Sequence, residues 1–154
     1  MDKVEQRNQI GYTVGGSITD LGLPYLILGA EYTKVRPFVY RNFLPQQNYT
    51  TANFLMGDWM GANADRISFF ANYTPIPRLK IRLRYMQVRK GEQGTLDQQY
   101  FQQPQPPCLF GTQANAKEYL FQGQYELIPR LYFNANFRRF DKTNLVSLGM
   151  NYGL

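Results

Sequence analysis

Apolar residues fall on every second position in seven separate stretches of this 154-residue chain, with turn-forming residues between them. A period of two is that of a β-strand, whose successive side chains point to opposite faces. The first stretch sets Ile10, Tyr12, Val14 and Ile18 against Gly11, Thr13, Gly15 and Ser17, and the second sets Leu26, Leu28, Ala30 and Tyr32 against Ile27, Gly29, Glu31 and Thr33. Ile67, Phe69, Ala71 and Tyr73 begin the third, and Leu79, Ile81, Leu83 and Tyr85 alternate with Lys80, Arg82, Arg84 and Met86 in the fourth. Tyr119, Phe121, Tyr125 and Leu127 mark the fifth, and Leu131, Phe133, Ala135 and Phe137 the sixth. Val146, Leu148, Met150, Tyr152 and Leu154 complete the set. The pattern predicts an all-β chain of about seven antiparallel strands, each with one apolar and one polar face.

Two environments accept such strands: a soluble sheet with a covered face, or a membrane barrel with lipid on one side and water on the other. Composition separates them. Aromatics are 16% of the chain, with 12 Tyr and 11 Phe against a single Trp, while mean hydropathy is −0.45. Many rings on a chain that is polar on average suit a barrel, in which only alternate residues meet lipid. No run approaches the roughly 18 to 20 apolar residues of a membrane-spanning helix. The charge of +6 is scattered along strands and loops, so no nucleic-acid partner is expected. Cys108 is the sole cysteine and histidine is absent, so we expect no metal, no cofactor and no histidine-based catalysis.

The connections alternate in length. YTPIPRL at residues 73–79 nearly repeats as YELIPRL at residues 125–131, and LGLPYL around Pro24 holds the equivalent place earlier. Two strands and one longer loop separate successive tight turns, so the tight turns share one end of the sheet. The second strand is expected to run on to near Tyr40, into a long loop ending near Asp65. Residues 90–116 form another, rich in Gln and Pro. Loops of that length are usually functional. In a barrel the tight turns are periplasmic and the long loops external, which leaves the C-terminus on the periplasmic side.

Residues 145–154 also resemble the terminal signal of bacterial outer-membrane barrels, with Ser147, Gly149, Tyr152 and a final Leu154 where Phe is favoured. We therefore expect residues 1–154 to be one outer-membrane domain, an up-and-down transmembrane β-barrel segment facing membrane lipid and lipopolysaccharide. Seven is odd and single-chain bacterial barrels are even. Either an eighth strand lies near the N-terminus, or upstream strands or a partner chain complete a larger barrel. Residues 1–9 carry Asp2, Lys3, Glu5 and Arg7 where a secretory leader has an apolar core. Either a signal has been removed or, as we expect, this is the C-terminal part of a longer polypeptide.

The combination of Glu31-Tyr32-Thr33, Arg36-Pro37-Phe38-Val39-Tyr40, the loop GDWMGANAD at residues 57–65 with Arg66 after it, Pro77-Arg78-Leu79 with its basic strand, and Arg89-Lys90-Gly91 resembles Wzi-type capsule assembly proteins in the form common among Bacteroidetes. The resemblance covers residues 29–91 and departs at Asp58, which precedes Trp59 where His is expected, and at Leu154. It implies a barrel of about eighteen strands, within the range such barrels span. It also implies that the outer face holds capsular polysaccharide, and similar chains in gliding bacteria are linked to surface motility.

Sugars are recognised by rings against their C–H faces, with amides and charges on the hydroxyls. The first long loop supplies Tyr49, Phe54 and Trp59 with Asn53, Asp58, Asn63 and Asp65. The same residues also suit packing at the barrel mouth, with Asp65 paired to Arg66 or an interior base. Lys80, Arg82 and Arg84 would draw acidic capsules, or form a lumen charge ladder with Glu31, Glu118, Glu126 and Arg138. A porin-like channel is the alternative to a polysaccharide anchor. No enzyme is expected: outer-membrane lipases pair Ser with His, and only Asp58 and Asp65 offer a carboxylate pair.

Overall fold

The computed structural model describes residues 9–52, 54–111 and 114–153. Asn53, Leu154, residues 112–113 and residues 1–8, on which the reading about a secretory leader falls, lie outside them. Seven strands form one antiparallel sheet: β1 (Gly11–Thr19), β2 (Leu26–Val35), β5 (Ala64–Ile76), β6 (Leu79–Lys90), β7 (Ala114–Ile128), β8 (Leu131–Phe140) and β9 (Thr143–Tyr152). They are ordered in space as they are in sequence, with β1 and β9 at the two ends. Between β2 and β5 lie a 3-10 turn (Pro45–Gln47) and a small hairpin, β3 (Thr50–Thr51) and β4 (Phe54–Leu55).

The turns form where the chain supplies residues tolerant of positive φ or a side-chain tie. After β1, Asp20 and Gly22 sit at φ 58° and 73°, and the Tyr25 N–H donates to Asp20 Oδ1 at 2.6 Å. Between β7 and β8, Arg130 takes φ 71° and its N–H donates to Glu126 Oε1 at 3.1 Å. Asp141, at φ 51°, turns β8 into β9.

The elements differ from the sequence reading in several places, including the β3–β4 hairpin in the first long connection and the start of β7 at Ala114, inside the loop expected over residues 90–116. The second strand stops at Val35 and not near Tyr40, because Pro37 has no N–H to give the ladder and Phe38 takes φ 68°. The next strand begins earlier, at Ala64. The second long connection is not irregular throughout. Helix α1 (Leu96–Tyr100) forms there because Thr95 and Gln98 close a capping box, the Thr95 side chain accepting from the Gln98 N–H and the Gln98 side chain from the Thr95 N–H.

The described residues divide into two compact units. One comprises residues 14–32, 67–87 and 116–154, the greater part of the sheet. Its register sorts side chains cleanly. Phe121 faces Phe137, which faces Val146, while Tyr125 faces Phe133, which faces Met150. On the other face Gln122 is opposite Asn136, which is opposite Ser147. Amides there bond to one another: Gln124 Nε2 donates to Asn134 Oδ1 at 3.1 Å, and Asn134 Nδ2 to Asn151 Oδ1. A glycine accommodates a ring on the second strand, where a Cβ on Gly29 would come within 2.2 Å of Phe70.

This unit has no oily interior. Among its described residues only Glu118 is buried, and every residue of β9 is exposed. Phe69 and Leu83 are each 47% exposed, Phe121 40% and Met150 67%, so among this unit's described residues no second layer covers the apolar face. Among the described residues, no helix is long and apolar enough to cross a membrane, which says nothing of strands.

The other unit comprises the described residues within 1–13, 33–66 and 88–115. It holds the buried hydrophobic residues Val35, Phe38, Met60 and Ala64, with Val39, Tyr40 and Val88 packed on the core. The two long connections therefore fold together, a pairing that their composition did not reveal.

Candidate functional site

Tyr40 organises the exposed part of this second unit. Gly57 lets the chain pass over its ring, since a Cβ there would lie 2.2 Å from a Tyr40 ring carbon. The Asp58 N–H donates to Tyr40 Oη at 2.9 Å, and Tyr49 stacks on the ring at 6.1 Å between centroids. In the adjoining hairpin Thr51 pairs with Phe54, and the Met56 N–H donates to the Tyr49 carbonyl at 3.0 Å. Asp58 then starts a tight turn. Its carboxylate accepts from the Met60 N–H at 3.0 Å, its carbonyl accepts from the Gly61 N–H at 2.8 Å, and Gly61 takes φ 74°. That turn sends Met60 inward and leaves Trp59 65% exposed. Arg66 lies 5.8 Å from the Trp59 ring centroid and 3.8 Å from Asp58 Oδ2, while also donating to Thr33 Oγ1 at 3.2 Å. A cation over an indole is attracted to the ring face and helps to hold the ring in place.

Of the seven candidate sugar contacts, Asn53 lies outside the described residues and the other six separate into two groups. Tyr49, Phe54 and Trp59 are more than half exposed, with Asp58 at the root of the Trp59 turn. Asn63 and Asp65 are instead interior, at 0% and 3% exposure. Asn63, at φ 55°, ties the two long connections: Nδ2 donates to the carbonyls of Glu92 (2.7 Å) and Phe110 (3.2 Å), and Oδ1 accepts from the Leu109 N–H (2.6 Å). Gly91 is required beside it, because a Cβ would fall 2.3 Å from Asn63 Nδ2. Asp65 receives the Arg89 guanidinium on both oxygens, with Nε at 2.9 Å. Arg66 or an interior base was expected beside it, and the base that binds both oxygens is Arg89, 24 positions away in sequence. Asp65 is thereby held as a structural anion and is not presented to solvent with Asp58.

The ladder residues are likewise only partly assembled. Glu118 accepts from Arg84 Nη2 at 2.8 Å and from Arg138 Nη2 at 3.0 Å, one buried carboxylate holding two cations. Glu126 serves its own turn through Arg130. Glu31 sits on β2 opposite Gly15, where a Cβ would lie 3.3 Å from the Glu31 Cβ. Arg82 donates through Nε to Asn72 Oδ1 at 3.1 Å. Lys80 and Arg82 line a groove of about 420 Å³ on the polar face.

Cys108 is half-buried in the second connection, with Sγ 4.0 Å from the Val35 carbonyl. Burial raises its thiol pKa above the usual value. Iodoacetamide should therefore label Cys108 several-fold more slowly than a small free thiol at pH 8, with the gap narrowing as pH rises. A rate equal to that of the free thiol would contradict this packing.

No protein-family model, curated protein or solved structure matches this chain.

Proposed function

We propose that this chain is part of a β-barrel of the bacterial outer membrane that binds or anchors surface polysaccharide without catalysis, in keeping with its resemblance to Wzi-type capsule assembly proteins. The reading is carried by one observation: a sheet whose apolar face, including Phe69, Leu83, Phe121 and Met150, stays exposed while its unit buries no hydrophobic side chain among the described residues. In water such a surface drives association, and in a bilayer it is matched by acyl chains. The tight turns then face the periplasm and the long connections the outside. There, Tyr49, Phe54 and Trp59 present rings on a support locked by Asn63 and Tyr40, suited to the C–H faces of sugars.

Lipid does not accept the unpaired backbone of an edge strand, so β1 and β9 need partners, either further strands of the same polypeptide or a partner chain. Seven antiparallel strands leave the first and last running in the same direction. An all-antiparallel closure therefore takes an odd number of additional strands.

A Trp59→Ala and Phe54→Ala double variant should reach the membrane at wild-type level and lose most surface-retained polysaccharide, as read by glycan-specific fluorescence on intact cells. Unchanged retention would sink the anchoring role. The porin-like alternative is favoured by the polar groove beside Lys80 and Arg82. Steady single-channel conductance in a planar bilayer would select it.

A further inference from the structure

We infer that the polar face of the sheet carries an anion-binding groove centred on Lys80 and Arg82, whose ligand is an acidic glycan bearing carboxylate or phosphate groups. The inference rests on the reading above that this face is wet and that the protein handles polysaccharide, and it adds a second place of contact, inside the sheet's polar face. The groove measures about 420 Å³, within the range of small-molecule sites, and is bordered by Asn72, Thr74, Gln122 and Asn134 besides the two cations. None of the described residues lining it is acidic.

The balance of charge is local. Arg84 and Arg138 on the same face already share the Glu118 carboxylate, at 2.8 and 3.0 Å. Arg82 uses Nε on a neutral amide oxygen, that of Asn72, and its charge is not met there by an acid. Lys80 stands two residues from Arg82 on the same strand face, a separation of about 7 Å along the strand. Two like charges at that distance on one face repel each other, and an anion bound between them would relieve that repulsion. The surrounding amides donate and accept, which matches hydroxyls flanking an acidic group. A concave wall with one sign of charge also concentrates counter-ions.

The test is calorimetry on the whole protein in detergent with two probes of equal size, trigalacturonate and its methyl ester, which lacks the charge. The acid should bind at least about tenfold more tightly than the ester, a gap that must close when salt rises from about 0.05 to about 0.5 M. A Lys80→Gln and Arg82→Gln double variant should lose that preference, whereas Lys80→Arg with Arg82→Lys should keep it, so a misfolded Gln variant does not decide the matter. Equal affinity for both probes, binding of neither, or indifference to the Gln variant would overturn the groove. The anchoring role fails separately: polysaccharide retention untouched by the Trp59 and Phe54 variant would reject that role while leaving the charge preference standing.

Discussion

On the proposed barrel reading, Leu148→Arg should destabilise the protein in lipid by about 2 to 4 kcal/mol, the cost of a guanidinium on the lipid side near mid-membrane. Leu148 is at mid-strand in β9, opposite Ala135 and 68% exposed in the chain. In a water-soluble sheet a substitution at so exposed a position would be nearly neutral, within about 0.5 kcal/mol. Ser147→Arg is the internal control, since the neighbouring side chain points to the polar face with Asn136. Heat-modifiable gel mobility across a urea series in lipid vesicles reads both. Two equally mild variants would mean that the apolar face never meets acyl chains.

Asn63→Ala should cost about 3 to 5 kcal/mol, because it strips partners from three backbone groups around a fully buried side chain, each worth about 1 to 3 kcal/mol when left unsatisfied. The replacement must also hold φ 55°, which Asn tolerates better than Ala. Asn63→Gly keeps the backbone freedom and loses the bonds, so it should recover only about 1 kcal/mol. The loss should be local: limited proteolysis should cut the connections at residues 36–63 and 91–113 before the strands. Protection equal to wild type in the Ala variant would show that the two connections are held together by other means.

How the two connections are joined is what linear reading missed. Asn63 was singled out as a sugar contact because it lies in a polar, Gly-rich stretch, the usual look of an exposed loop. Its partners, Glu92, Leu109 and Phe110, are 29 to 47 residues away. No local pattern announces such a pairing. For Asp65 the reading left open a sugar contact or a pairing with Arg66 or an interior base, and the choice of Arg89, across the strand pair β5 and β6, was not legible for the same reason. The helix at Leu96–Tyr100 is different, since its Thr95 and Gln98 capping signature was legible and only its shortness hid it. The strands were legible throughout because alternation is a property of consecutive residues. Phe121 and Gln122 take opposite faces whatever the rest of the chain does.

The sequence by itself determined the seven strands, their tight turns and which side chains share a face, because period-two patterning and turn chemistry act over a few neighbouring residues. Only the tertiary structure decided that Glu118 gathers Arg84 and Arg138, that Asn63 and Asp65 are interior, and that Trp59 stands out beside Arg66. Those outcomes depend on hydrogen bonds and ion pairs between residues brought together by strand register and loop packing, which sequence distance does not encode.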